Sequence, residues 1–384
     1  MKRAVRAAAV AVVAVGLAFG GLGFVIARRL TAPVSERRYD ITILGVDDSR
    51  EQRIIVLDRT QATASVGDYC IILENGDYVQ LAPEVQDRGP QFVGRKVVGE
   101  SGEHLHVGQR VSWSGIYFAT PADAALPSMD VEVPTDVGPA PAWLIAPHET
   151  SSTTWAIHIH GLGSTRVGTL RGVQVAFEAG LTSLVVTHRN DGEGPRVRKG
   201  RSELGAAEVA DVREAVDYAV DHGAQTVILF GWSMGGAIAL QLSTEPKLGG
   251  IITGLVLESP VLDWVSTVQA NCVRSGLPDW AGTAALPWLR SQALALIVGL
   301  TTPVRLREFD WISRANELTV PTLILHGAVD TSSPISVAVK LHELRPDRVD
   351  LVVFHADHTM TWNSDQHHWR AVSLAWLAAR ELSI

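Results

Sequence analysis

Hydrophobic and polar positions divide the chain into four textures. From Ala7 to Ala27 no side chain is charged, and Lys2, Arg3 and Arg6 precede the run while Arg28 and Arg29 follow it. A bilayer core needs about 20 such residues, so the pattern predicts one transmembrane helix, an anchor over residues 1–30. A cleaved signal peptide ending near Val25-Ile26-Ala27 is the alternative, but the run exceeds the usual apolar region of about 7–15 residues. Basic residues on both flanks leave the positive-inside rule nearly balanced. By analogy with signal anchors, the expectation is a single-pass protein of the cell membrane with its main domain outside the cytoplasm.

Residues 31–120 carry short runs of β character: Ile41–Leu44, Arg53–Leu57, Tyr69–Leu73, Tyr78–Leu81, Arg95–Val98 and Gln109–Trp113. Asn75-Gly76 between two such runs is a hairpin cue. The segment reads as a small β-rich module that serves as an interaction surface, a spacer or a flap over a neighbouring site. Glu103, His104 and His106 lie within four positions, but no further ligand cluster accompanies them, so a polar surface is the expected reading.

From about residue 121 strands alternate with helices. Asp130–Val133 and Ala142–Ile145 suggest a leading antiparallel pair. Strands follow at Thr154–His160, Thr182–Thr187, Val227–Phe230, Gly254–Leu257, Pro321–His326 and Asp350–Phe354, with helices over Val167–Ala179, Glu203–His222 and from Gln366. In the second helix Val209, Val212, Ala215, Val216, Ala219 and Val220 recur at helical spacing. This alternation predicts a mostly parallel sheet covered on both faces, within a domain spanning 121–384. Residues 262–317 break the rhythm. They are helix-prone, hold Trp264, Trp280, Trp288 and Trp311, and are far longer than one crossover requires, so they read as a helical lid.

Composition narrows the partners. The 384 residues have a formal net charge of −8 and no long basic run, which argues against nucleic acid. Two cysteines, Cys70 and Cys272, are too few for a disulfide framework, and buried free thiols are expected. Eleven tryptophans against five tyrosines hint at an apolar pocket.

The chemistry gathers where Val227–Phe230 turns through Gly231-Trp232-Ser233-Met234-Gly235 into an apolar helical segment. Strand, G-x-S-x-G, helix exposes a serine hydroxyl at the C-terminal edge of a sheet, where a helix N-terminus favours negative charge. A serine needs a base, and the base needs an orienting carboxylate. Asp330 follows one later strand and His358 follows the next, on loops at the same sheet edge. His355 is the alternative base; Glu258 or Asp263 is the alternative acid. The amides of Met234 and of Leu162, in His160-Gly161-Leu162-Gly163, are the expected oxyanion donors. His158 and His160 alternate on one strand, yet no ligand set completes a metal site. His367 and His368 read as surface residues. Arg189-Asn190-Asp191 reads as a structural loop, with binding of a polar substrate group as the alternative.

Together these motifs resemble the α/β-hydrolase superfamily over residues 125–384, most like bacterial esterase-like and serine aminopeptidase-like members. The resemblance implies an eight-stranded, mostly parallel sheet, a Ser233-Asp330-His358 triad, hydrolysis through an acyl-enzyme and no cofactor. His-Gly-Leu-Gly departs from the His-Gly-Gly-Gly of one esterase group, and the family says nothing about the first 120 residues. The expected activity is cleavage of a carboxylic ester. A peptidase or amidase on the same triad, an acyltransferase and a non-catalytic binding protein are the alternatives, and the expected partner is a small ester or peptide substrate.

Overall fold

The computed structural model of the protein describes residues 2–49, 52–102, 104–148 and 152–381, with the side chains of residues 2–15 and 380–381 left aside. Glu103 lies outside the described residues, as do the side chains of the first half of the apolar N-terminal run.

That run forms helix α1 (Lys2–Leu30). Among the described residues, however, no helix is long and apolar enough to cross a membrane. The expected single-pass anchor is therefore corrected, and with it the cell-membrane localisation and the extracytoplasmic placement. One side of the described half of α1 packs against protein, while Leu17, Phe19 and Val25 of the same half are exposed. Leu22, Ile26 and Leu30 cover Val268, Cys272 and Ala281. Phe24 packs on Trp288 with ring centroids 5.0 Å apart, and the Trp288 indole donates to the Gly20 carbonyl at 2.9 Å. Arg201 ties the helix end by donating to the Arg28 carbonyl at 2.8 Å. Hydropathy along the sequence cannot distinguish a lipid neighbour from an apolar helical one.

The next segment forms a seven-stranded sheet of β1 (Ile41–Thr42), β2 (Gly45–Asp48), β3 (Arg53–Asp58), β4 (Tyr69–Leu73), β5 (Tyr78–Asp87), β6 (Phe92–Glu100) and β7 (Arg110–Ser114). All its pairings are antiparallel, in the order β1-β7-β4-β5-β6-β3-β2. Alternate positions such as Ile55, Leu57, Ile71, Leu73, Val79 and Val93 form its core. Arg95 is buried beneath this sheet and donates to the carbonyls of Thr63, Ser65, Gly67 and Ala82.

The second sheet holds eight strands: β8 (Met129–Thr135), β9 (Gly138–Ile145), β10 (Thr154–Ile159), β11 (Thr182–Val186), β12 (Thr226–Trp232), β13 (Ile252–Glu258), β14 (Thr322–Gly327) and β15 (Val349–Phe354). Their order is β15-β14-β13-β12-β10-β11-β9-β8. The β8–β9 and β9–β11 pairs are antiparallel and the rest parallel. Helix α2 (Leu170–Glu178) covers one face; α3 (Glu208–Asp221) and α4 (Met234–Ser243) cover the other. Strand β12 serves both: Val227 and Leu229 point into one layer, Ile228 and Phe230 into the other.

The second predicted helix starts five residues later than its periodicity suggests. The Glu208 carboxylate accepts from Ser202, Glu203 and Gly205 and so holds the preceding turn. Between β13 and β14 run α5 (Trp264–Arg274), α6 (Leu286–Arg290) and α7 (Gln292–Val298). Helices α8 (Ile335–Leu344), α9 (Thr361–Ser364) and α10 (Gln366–Glu381) complete the chain.

A buried seam joins the two sheets. Asn363, on α9, donates through Nδ2 to the carbonyls of Asp68 at 2.5 Å and Gly115 at 2.9 Å. Its own carbonyl accepts from the Asp68 amide at 2.9 Å. Arg171 reaches the Asn363 Oδ1 at 2.6 Å, and Gln366 donates to the Asp68 carboxylate at 2.9 Å.

Candidate active site

Ser233 sits in the turn between β12 and α4 with φ 52° and ψ −111°. Such a left-handed conformation costs a non-glycine residue on the order of 1–3 kcal/mol. The turn is held from several sides: the Ser233 amide donates to the Glu258 carbonyl at 3.0 Å, and its carbonyl accepts from Gly236, Ala237 and Val261. Gly235 is required by close approach, since a Cβ there would lie 2.1 Å from the Ile159 carbonyl oxygen.

The structure brings the three triad candidates together. His358 Nε2 lies 2.9 Å from Ser233 Oγ, and His358 Nδ1 lies 2.8 Å from Asp330 Oδ2. Asp330 is a buried carboxylate whose Oδ1 accepts the amides of Ser332 at 2.9 Å and Ser333 at 2.7 Å. Burial alone would raise its pKa. Hydrogen bonds from His326 and His358 outweigh burial and hold the carboxyl well below its usual range. The anion therefore persists beside His358 and fixes the ring so that Nε2 faces the serine.

The other candidates lie elsewhere. His355 is exposed, and the ring nitrogen at Ser233 Oγ belongs to His358. Glu258 is buried, and its carboxylate accepts the Trp232 indole at 2.9 Å and the Thr361 amide at 3.1 Å. Asp263 caps α5 through the amides of Val265 and Ser266. Asp357 accepts from Thr331, and His367 and His368 are exposed. Arg189 is paired with Asp211 and Asp136, while Asn190 bonds Arg201 and Val197, so that loop is committed to structure. Cys70 and Cys272 are buried and unpaired with each other.

A cavity of about 140 Å³ covers the serine and is lined by Leu162, Ser233, His358, Met360, Gly115 and Ile116 among others. The last two follow β7, so the seven-stranded sheet contributes to the wall. The amide nitrogens of Leu162 and Met234 donate to no other group among the described residues. None of Trp264, Trp280, Trp288 and Trp311 lines this cavity. Trp264 and Trp311 are core residues, while Trp280 and Trp288 pack on Phe19 and Phe24 of α1.

His188 and Asp191 were not singled out together with His160 by the sequence pattern, yet the three converge beneath the Gly161–Gly163 loop. Their ligand-type atoms lie within 4.8 Å of one another. Asp191 is already saturated: Oδ2 accepts His160 Nε2 and the His188 amide, both at 2.9 Å, and Oδ1 accepts the amides of Glu193 and Gly194. The cluster is a hydrogen-bonded knot under the loop. The adjacency of β10 and β11, which end just before His160 and His188, is the signal that would have found it.

Sequence comparison identifies two segments. A family described as "Alpha/beta hydrolase family" matches residues 156–381, and one described only as a domain of unknown function matches residues 42–114. No curated protein matches the chain. Among solved structures, the Pyrococcus furiosus esterase Pf2001 is similar in one crystal form at 20% identity and a TM-score of 0.53, over 68% of this chain and 95% of that one. A second crystal form of it gives 21%, 0.52, 68% and 94%. A Pyrobaculum calidifontis esterase is similar at 16% identity and a TM-score of 0.49, over 67% and 86%. At its 20–21% identity the likeness to the Pf2001 esterase is one of fold.

Proposed function

Since the chain belongs to the alpha/beta hydrolase family, we propose that it is a serine hydrolase that cleaves a carboxylic ester through an acyl-enzyme. The observation that carries this reading is the unbroken hydrogen-bond chain from Ser233 Oγ through His358 to Asp330, at 2.9 and 2.8 Å. Ser233 Oγ attacks the carbonyl carbon while its proton passes to His358 Nε2. The carbonyl π pair moves onto oxygen, where the amides of Leu162 and Met234 and the N-terminus of α4 stabilise it. Collapse of this intermediate breaks the bond to the leaving oxygen, which takes the proton from His358. Water then gives a proton to His358, attacks the acyl carbon and releases the acid, restoring the Ser233 hydroxyl. Asp330 stays ionised throughout and stabilises the imidazolium. Each step uses groups of the chain itself together with water.

The test is covalent labelling with a fluorophosphonate, the modified residue being located by mass spectrometry. Such probes react with a serine activated by a base and an oxyanion site. Label at Ser233, absent in Ser233→Ala and strongly slowed in His358→Ala, is the expected result. An unlabelled, folded protein overturns the hydrolase reading. Paired panels of esters and amides then test the leaving group, and turnover confined to amides overturns the ester half.

A further inference from the structure

Two spaces adjoin the loop that carries His358. The cavity over Ser233 measures about 140 Å³. A protein cavity of roughly 150 Å³ accommodates benzene, so the space directly over Ser233 matches a short acyl group. The second space is a cleft of about 860 Å³ between the seven-stranded sheet and the β15 edge of the other, within the roughly 300–1,000 Å³ typical of sites for drug-sized ligands. Met360 lines both spaces, and the cleft residue Asp357 immediately precedes His358.

Building on the ester-hydrolase reading, we propose that the cavity takes a short acyl group while the cleft takes a bulky leaving alcohol, neutral or cationic in charge. Direction follows from proton transfer. His358 Nε2 returns its proton to the leaving oxygen, so the alcohol lies on the His358 side, and Met360, two residues on, is the side chain shared with the cleft. The acyl group is then confined to the small cavity. Size follows from the sixfold difference between the two volumes.

Charge preference follows from the lining. The cleft offers the carboxylates of Asp357 and Asp365 and contains no lysine or arginine, on a chain whose formal charge is −8. Tyr69, Trp113 and Phe354 supply aromatic surface suited to an apolar or aromatic body, and the rings of Tyr69 and Trp113 already carry the Arg95 guanidinium. An anionic alcohol would meet two carboxylates, with His355 and His368 as the only basic side chains of the lining.

The experiment uses the full chain and acetate esters of a naphthylethanol scaffold that is neutral, bears a trimethylammonium group or bears a carboxylate, together with the neutral scaffold as its octanoate. The expected kcat/KM is at least about tenfold higher for the neutral and cationic acetates than for the anionic one, and at least about tenfold higher for acetate than for octanoate. Val66 and Val353 line the cleft from opposite sides and are 66% and 49% exposed, so a charge at either position leaves the core intact. Val66→Arg and Val353→Arg should each lower the cation-to-anion ratio of kcat/KM about tenfold, and Val66→Asp should raise it. Ratios unmoved by all three variants, or an octanoate turned over as well as the acetate, overturn the proposal. Fluorophosphonate labelling separates the two failures. With Ser233 labelled and selectivity absent, only the cleft assignment falls. With Ser233 unlabelled and every ester inert, the hydrolase reading falls and takes this proposal with it.

Discussion

Asn363 offers the sharpest test of how the two sheets are joined. Its buried carboxamide gives two hydrogen bonds, to the Asp68 and Gly115 carbonyls, and accepts one from Arg171. Asn363→Ala leaves two carbonyls and one guanidinium N–H without these partners, although Arg171 keeps the Thr359 carbonyl at 3.2 Å. A buried group left unsatisfied costs about 1–3 kcal/mol, with charged groups at the upper end. Partial relaxation across the seam brings the expected total to about 4 kcal/mol. For a chain of this size that lowers the Tm by about 5 °C. The consequence reaches the site, because Gly115 lines the cavity over Ser233 and Asn363 lies five positions after His358. Misplacement by about 1 Å can cost a hundredfold in rate, so kcat for a short-chain ester should fall by at least about tenfold at 25 °C. Melting followed by circular dichroism, with turnover measured where both proteins are folded, reads both effects. Asn363→Asp retains an acceptor for Arg171 but loses both donated bonds, and should fall between the two. A Tm within about 2 °C of the parent's, together with unchanged kcat, would refute the argument that this seam positions the His358 loop.

Other outcomes follow from single contacts. Asp330→Asn should lower kcat by on the order of 10⁴-fold with the fold retained; a loss below about tenfold in steady-state turnover would remove Asp330 from its orienting role. Gly235→Ala should abolish soluble expression or activity, because the added methyl meets the Ile159 carbonyl at 2.1 Å. Burial pushes His158 and His188 down to about 3 from 6.5, so the folded state binds fewer protons than the unfolded one between these values. Their stabilising contribution is complete above pH 6.5 and is lost as pH falls towards 3, at about 1.4 kcal/mol per pH unit for each histidine. His158→Phe should therefore shrink the drop in unfolding free energy from pH 7 to pH 5 by about 2 kcal/mol in urea titrations; an unchanged drop would mean that His158 does not titrate this way. Asp330 works in a lower window. Its depressed pKa gives stability that is complete above the unfolded carboxyl range and is lost only below it.

The parallel sheet was legible because its signals are local. Apolar runs such as Val227–Phe230 and Gly254–Leu257 lie between glycines and polar turns, and each becomes a strand with both faces covered. The order Ser233, Asp330, His358 was legible for the same reason, since each residue follows a strand end and parallel strands deliver their ends to one edge. Long-range satisfaction of polar groups left no such trace. Arg95 carries a charge that by itself would assign it to solvent, yet it is buried against four carbonyls and beneath the rings of Tyr69 and Trp113. Asn363 follows Trp362 in an unremarked helical turn, and its partners are 192 to 295 residues away in sequence. Glu258 was weighed as a catalytic acid for its position after a strand. It instead receives the Trp232 indole and the Thr361 amide, two donors that no spacing rule connects.

The N-terminal run shows most clearly how one pattern can have two physical solutions. A charge-free segment needs apolar neighbours, and the insertion between β13 and β14 supplies them for residues 22–30. The tryptophans that hinted at a substrate pocket answer the same need: Trp280 and Trp288 meet Phe19 and Phe24. The chain leaving α1 then passes the site. Ala32 and Val34 share a small cavity with Leu162, Gly163 and Met234, beside His188 and Asp191. The Gly161–Gly163 loop is thus backed by the His160–Asp191 knot and flanked by the segment that leaves α1. In the proposed mechanism, a donor loop held from two sides keeps its amides aimed without reorganising as charge develops, which is what stabilisation of an oxyanion demands. Apolar packing of α1 on the insertion and polar order at Leu162 are consequently linked through the few residues between Leu30 and Val34.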